Sequence, residues 1–156
     1  MDTFDLDEKI LFTPKVLCMD YILIKFNHFL KNKLDDNNIS NGEFIFLFNI
    51  FFHEPLSQRE LADLLFVSEA YVTKMIKKLE QKNYVERKVD EKNKSIKNLY
   101  LTKTGKALTL NLLKITRQWE SKLTLSLDEN ENEKLSYILY DLAYNTHKIE
   151  DGSYKQ

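Results

Sequence analysis

The sequence predicts a mainly α fold with a small β-hairpin wing, set between long flanking helices. Three observations predict it. Only 3 Gly and 2 Pro occur in 156 residues, too few for a strand-rich fold with many tight turns. Apolar residues recur at helical spacing over most of the chain. Between Leu56 and Gly105, two short helical patterns meet at a tight junction, and two strand-like runs follow around a charged loop. That outline is a winged helix-turn-helix, whose second helix enters the DNA major groove while the hairpin reaches a neighbouring groove.

The elements follow in order. Residues 1–12 mix acids with Phe4, Leu6, Ile10 and Leu11, and read as a loose tail or a strap over a partner subunit. Thr13 can cap a long helix with Pro14 at its first position, running to about Leu34. Its apolar surface, including Leu17, Cys18, Tyr21, Ile22, Phe26 and Phe29, is wider than one packing stripe needs, so it should meet two neighbours. Ser40 or Asn41 caps a second helix to about His53, with Glu43 in its first turn. Phe44, Leu47, Phe48 and Phe51 form its stripe, and Ile45, Phe46, Ile50 and Phe52 make it apolar almost all round, hence central and buried.

Ser57 with Glu60 three residues on is a capping box, and Leu61, Leu64 and Leu65 are the stripe of the helix it opens. Phe66-Val67-Ser68 is the junction, and Ser68 caps the next helix. Val72, Met75, Ile76 and Leu79 point inward there, while Tyr71, Thr73, Lys74, Lys77 and Lys78 face outward. Asn83 suits the left-handed residue that ends a helix. Tyr84–Val89 and Ile96–Leu101 are the wing strands around the loop Asp90–Ser95. Thr102-Lys-Thr-Gly-Lys then opens a long helix carrying Leu108, Leu112, Ile115, Trp119 and Leu123. Asp128 with Glu131 caps a last helix, which presents Leu135, Ile138, Leu139, Leu142 and Tyr144 and ends near Ile149; Asp151–Gln156 is a frayed tail.

This is one domain over residues 1–156, with a winged helix-turn-helix lobe at 40–105 and a helical dimerisation region from 1–39 and 106–156. The terminal helices are too apolar for a monomer, and a homodimer interface accounts for the surplus.

With 43% hydrophobic residues, wholesale disorder is excluded. Net charge is −1, yet residues 57–106 carry 12 Lys+Arg against 7 Asp+Glu, a net of +5, and the rest carries 11 against 17, a net of −6. Lys decorates any solvated helix, but here the excess coincides with an independent DNA-reading motif, as a localised electrostatic footprint does. One Cys excludes an internal disulfide and fits a reducing compartment. No leader and no membrane-spanning apolar run is visible, so a soluble cytoplasmic protein is expected.

At this point the chain resembles the MarR family of transcriptional regulators over nearly its whole length. The resemblance rests on Leu56-Ser-Gln-Arg-Glu-Leu-Ala, on Val67-Ser-Glu-Ala-Tyr-Val-Thr-Lys-Met-Ile-Lys-Lys-Leu-Glu-Gln-Lys-Asn-Tyr-Val-Glu-Arg87 and on Leu101-Thr-Lys-Thr-Gly105, in this order and spacing. It implies a homodimer reading a pseudo-palindromic operator in double-stranded DNA. It often implies a small phenolic or lipophilic effector between the dimerisation helices and the DNA-reading lobe. Asn83 stands where the family commonly has Gly, a backbone Asn tolerates. The wing departs further: the family's Asp-x-Arg is Asn93-Lys94-Ser95 here, so the minor-groove arginine is missing.

The residues expected to meet DNA are therefore Ser57, Gln58, Ser68, Ala70, Tyr71, Thr73, Lys74 and Lys77, with Lys92, Lys94 and Lys97 on the wing. Ser57 and Gln58, with the free amides of their helix start, can hold a phosphate. Arg is scarce, at Arg59, Arg87 and Arg117 only, so Lys must carry most phosphate contacts. Tyr21, Phe29, Phe44 and Phe48, with Phe26 and Phe51 nearby in sequence, are the candidate effector lining; most of the aromatics are expected to be core.

His28, His53 and His147 lack partners at metal-ligand spacing and read as surface or packing residues, so neither metal nor cofactor is expected. Cys18 reads as a small buried hydrophobe rather than an oxidant sensor, because no resolving Cys exists. No nucleophile elbow, phosphate-cradling Gly loop or catalytic carboxylate pair is visible, which argues against an enzyme. The rival readings are a winged-helix protein-interaction module without specific DNA binding and a thiol redox regulator acting through Cys18.

Overall fold

The computed structural model describes residues 13–90, 94 and 97–150, so the expected N-terminal strap and C-terminal tail lie outside the described residues. The elements are α1 (Lys15–Asp36), α2 (Asn41–His53), β1 (Leu56–Ser57), α3 (Gln58–Leu65), α4 (Glu69–Gln81), β2 (Val85–Val89), β3 (Lys97–Leu101), α5 (Lys103–Leu123) and α6 (Glu129–Glu150). The chain divides into two compact units, with the boundary between Leu113 and Lys114 inside α5.

In the first unit, α1 begins one residue later than expected. Pro14 is the cap, at φ −57° and ψ 130°, and no side-chain bond closes this helix start. The ring fixes φ, but the extended ψ keeps Pro14 outside the helix, so Thr13 cannot act as its cap. Leu30 and Leu34 are buried, whereas Val16, Leu17, Tyr21, Leu23 and Ile24 are exposed in the single chain. Cys18 is exposed too, against the expectation of a buried hydrophobe.

Ser40 settles the start of α2 through a reciprocal box with Glu43: its hydroxyl accepts from the Glu43 amide at 3.2 Å, and its own amide donates to the Glu43 carboxylate at 2.8 Å. Phe44, Phe46, Leu47 and Ile50 are buried on α2, but Ile45 and Phe52 are exposed, so the helix is buried on one side of a single chain rather than all round. Phe48 and Phe51, expected in its stripe, are half-buried.

The sheet has three strands, one more than the sequence suggested. Leu56 and Ser57 pair antiparallel with Leu99 and Asn98, giving the order β1-β3-β2. Two residues with no alternation leave no strand signature in sequence. The wing proper pairs β2 with β3 antiparallel from Val85↔Leu101 to Val89↔Lys97. Leu47, Leu61, Ile76, Leu79, Leu99 and Leu112 are fully buried, so helices and sheet share one core.

Thr102 starts α5, its hydroxyl accepting from the Gly105 amide at 3.0 Å. Gly105 permits a close approach: a Cβ there would lie 1.9 Å from the Tyr84 carbonyl oxygen. In the second unit, Asp128 and Glu131 form the expected reciprocal cap of α6, at 2.9 and 2.8 Å. Ile138, Leu139, Leu142 and Tyr144 are exposed in the single chain.

Candidate nucleic-acid interface

Two short helices and their caps build the site. Ser57 accepts from the Glu60 amide at 3.2 Å while its own amide donates to the Glu60 carboxylate at 2.6 Å, which fixes where α3 begins. The bond from the Ser57 amide is the main reason the Glu60 carboxyl sits below its ordinary pKa. Leu61 and Ala62 bury α3; Leu64 and Leu65, expected to do so, are only half-buried. The chain then turns at Phe66, which adopts a left-handed backbone at φ 52°. Ser68 accepts from the Tyr71 amide at 3.2 Å and caps α4. The four inward residues of α4 are those the periodicity predicts: Val72, Met75, Ile76 and Leu79. Asn83 ends it at φ 58°, with the Tyr84 amide donating back to the Leu79 carbonyl at 2.9 Å.

Ala70, Thr73, Lys74 and Lys77 lie on the exposed face of α4, at successive i, i+3, i+4 and i+7 positions. Tyr71 is anchored backwards. Its ring meets Phe46 edge-on at 5.9 Å, and a Cβ on Gly42 would lie 3.4 Å from its hydroxyl. Thr73 and Gln58, expected as separate DNA contacts, are joined: the Gln58 amide nitrogen donates to the Thr73 hydroxyl at 3.0 Å.

The cations of this basic segment fall into two groups. Lys82 pairs with Glu43 at 2.8 Å, Arg87 with Glu80 at 3.4 Å, Lys88 with Glu86 at 2.9 Å and Lys106 with Glu54 at 2.8 Å. The bond from Glu86 raises the Lys88 pKa, and that ammonium also lies 5.0 Å from the Tyr100 ring centre. Lys74, Lys77 and Lys78 carry no ion pair among the described residues, so the uncompensated charge of α4 lies on its outer face. On the wing, Lys94 and Lys97 are exposed, while Lys92, Asn93 and Ser95 lie outside the described residues.

Of the expected effector lining, Phe44 and Phe48 meet at a tilt of 46° with ring centres 4.6 Å apart. Tyr21 and Phe29 are exposed on α1, Tyr21 with the Lys25 ammonium 5.2 Å from its ring centre.

Two of the links that sequence reasoning missed bear on this site. One is Gln58 to Thr73, fifteen residues apart. The other is Lys82, which reaches Glu43 and also donates to the Asn38 carbonyl at 2.6 Å. Both join different elements, and local periodicity carries no signal for such pairs. Among the described residues, no group of three His, Cys, Asp or Glu is placed to hold a metal ion. No helix among them is long and apolar enough to cross a membrane.

A capped helix-turn-helix with unpaired lysines on its second helix, backed by a three-stranded winged sheet, defines the winged-helix class of DNA-binding proteins. The MarR family model matches residues 39–96. The HTH-type transcriptional regulator BilQ of Clostridium symbiosum is 32% identical over 118 residues, covering 76% of this chain and 82% of BilQ. The crystal structure of a MarR transcriptional regulator from Methanosarcina mazei is 26% identical, with a TM-score of 0.74 over 85% of this chain and 95% of that one. The S. aureus MepR–DNA complex shares the fold, at 24% identity and TM-score 0.69, over 85% of this chain and 98% of MepR. The chain belongs to the MarR family of transcriptional regulators. Its relatives are regulators, not enzymes.

Proposed function

We propose that this regulator acts in the cytoplasm as a homodimer on a pseudo-palindromic operator in double-stranded DNA, under the control of a small phenolic or lipophilic effector. The observation that carries the reading is the outer face of α4, where Lys74 and Lys77 stand unpaired among the described residues beside Thr73. Exposed lysines of this kind release counterions when they meet phosphates, and this drives binding to any duplex. Ala70 shares that face, Ser57, Gln58, Ser68 and Tyr71 border it, and Lys94 and Lys97 on the wing, with Lys92 from the same basic run of sequence, are the further proposed contacts. That MepR, of the same fold, has been crystallised with DNA supports the assignment. The exposed apolar residues of α1 and α6 support a dimer, because a soluble monomer rarely leaves so much apolar surface uncovered. Tyr21, Phe29, Phe44 and Phe48 are the proposed effector lining.

The test is enrichment from random-sequence duplex DNA, followed by mobility shifts. A two-fold repeated motif is expected; binding with no sequence preference at any salt concentration would favour a protein-interaction module instead. The exposure of Cys18 favours a second reading, a thiol switch. Oxidant titration of the same complex with Cys18→Ser tests it: a response present in the parent and absent in the variant assigns the switch to that thiol.

A further inference from the structure

We infer that Gln58 is a positioning residue for base reading: by donating to Thr73 it occupies one of that hydroxyl's two acceptor sites and biases it to meet the major groove as a donor, favouring base edges that accept. The inference rests on the proposed DNA-reading role of α4.

The geometry is specific. The Gln58 amide nitrogen lies 3.0 Å from Thr73 Oγ1, across the junction between α3 and α4. Gln58 is the first residue of α3, and the reciprocal bonds between Ser57 and Glu60 hold its backbone in place. A threonine inside a helix can turn its hydroxyl back to the carbonyl four residues earlier. Thr109 does so to Gly105 at 2.8 Å. Thr73 makes no such bond to Glu69 among the described residues; its oxygen takes the Gln58 amide instead.

The chemistry follows from counting protons. A hydroxyl has one proton and two lone pairs, and an amide N–H can only donate. Accepting from Gln58 occupies one lone pair of Thr73 and leaves its proton and the other lone pair for an outside partner. In the major groove the acceptors are N7 of either purine, O6 of guanine and O4 of thymine; the donors are the amino groups of cytosine and adenine. A freely rotating hydroxyl serves either kind. One held by Gln58 keeps its proton and only one free lone pair, and the accepted bond polarises its O–H, so it donates more strongly and favours accepting base edges over amino groups. Gln58 thus takes a role other than the phosphate contact its place at a helix start suggests.

The test is selection from a random duplex library by the full chain and its Gln58→Leu, Thr73→Val, Thr73→Ser and double Leu/Val variants. Thr73→Val should erase the preference at one base position, and Thr73→Ser should keep it. Gln58→Leu should weaken the preference for the accepting base at that same position by roughly three- to tenfold, the worth of one neutral hydrogen bond. The double variant should lose nothing beyond Thr73→Val. Gln58→Asn, whose amide is one methylene too short, should behave as Gln58→Leu does, and thermal melts verify that every variant folds. The inference is overturned if Gln58→Leu leaves that position unchanged, shifts a different position, or adds to the effect of Thr73→Val, since Gln58 would then read DNA itself or not at all. It is overturned equally if Thr73→Val alters no position. A parent chain that enriches no motif overturns the DNA-reading proposal beneath it, a separate and recognisable failure.

Discussion

Replacing Lys82 by methionine should lower the melting temperature by about 4–8 °C near neutral pH, and the loss should shrink in acid. Lys82 follows α4, and its ammonium lies 2.8 Å from Glu43, whose side chain is 5% exposed against 27% for the lysine. The other carboxylate oxygen accepts from the Ser40 amide at 2.8 Å. A hydrogen bond to a charged group contributes about 1.5–3 kcal/mol, and the partial exposure of Lys82 puts its loss near the lower end, about 2 kcal/mol. Each kcal/mol shifts the melting point of a chain this size by about 2–4 °C. The pH dependence follows from Glu43. Burial pushes its pKa up, but the bonds from Lys82 and Ser40 and the lysine charge outweigh burial and hold it below the ordinary 4.5. A depressed folded pKa gives stability that is present above the unfolded value and lost as pH falls through the folded one. Without Lys82, burial is opposed by Ser40 alone, so the folded pKa of Glu43 lies higher in the variant, less stability is lost on acidification, and the gap between the two chains narrows. Calorimetric melts of both chains at about pH 7 and about pH 3 measure the difference. An equal loss at both values, or none near neutrality, would refute the assignment of Glu43 as a buried carboxylate held charged by Lys82.

Further outcomes are expected. Lys74→Ala with Lys77→Ala should weaken binding to all duplexes alike and flatten the salt dependence by about two phosphate contacts; titration at several salt concentrations checks this, and an unchanged slope contradicts it. Gly105→Ala places a Cβ against the Tyr84 carbonyl, where backbone faces backbone and neither yields easily. It should cost about 2 kcal/mol or more, read by chemical denaturation, and an unchanged midpoint would show that the helix start can shift freely. Removing everything after Leu127 should give monomers or aggregates by light scattering; a soluble DNA-binding dimer from that truncated chain would place the interface elsewhere.

Much of this architecture was legible because local rules and tertiary packing agree. Ser40, Ser57, Ser68 and Asp128 each cap the helix expected of them, and the inward stripe of α4 is the one its periodicity marks. Asn83 takes the left-handed corner its residue type suits. Three expectations failed for physical reasons. The extended ψ of Pro14 displaced Thr13 as a cap. Composition made α2 look buried all round, but a single chain covers one side of it, leaving Phe52 58% exposed. Cys18 shares an apolar helix whose first turns are largely exposed among the described residues, so its neighbours in sequence were a poor guide to its burial. The outer face of α4 was legible from the motif, whereas the bonds of Gln58 and Lys82 were not, because each spans elements that sequence spacing does not relate.

The left-handed corners at Phe66 and Asn83 have a mechanical consequence. They bracket α4, one before its cap and one just after its end, and neither is glycine. A glycine passes between negative and positive φ at little steric cost and would act as a hinge. A residue with a Cβ meets a neighbouring carbonyl oxygen on that path, so its backbone stays in the well that the surrounding fold selects. The helix proposed to read DNA therefore has no glycine swivel at either end. On the proposed homodimer, a half-site spacing that differs from that of the two α4 helices should not be met by α4 pivoting alone. The mismatch must be absorbed by moving the whole lobe as a body or by bending the duplex, whose stiffness then enters the choice of operator.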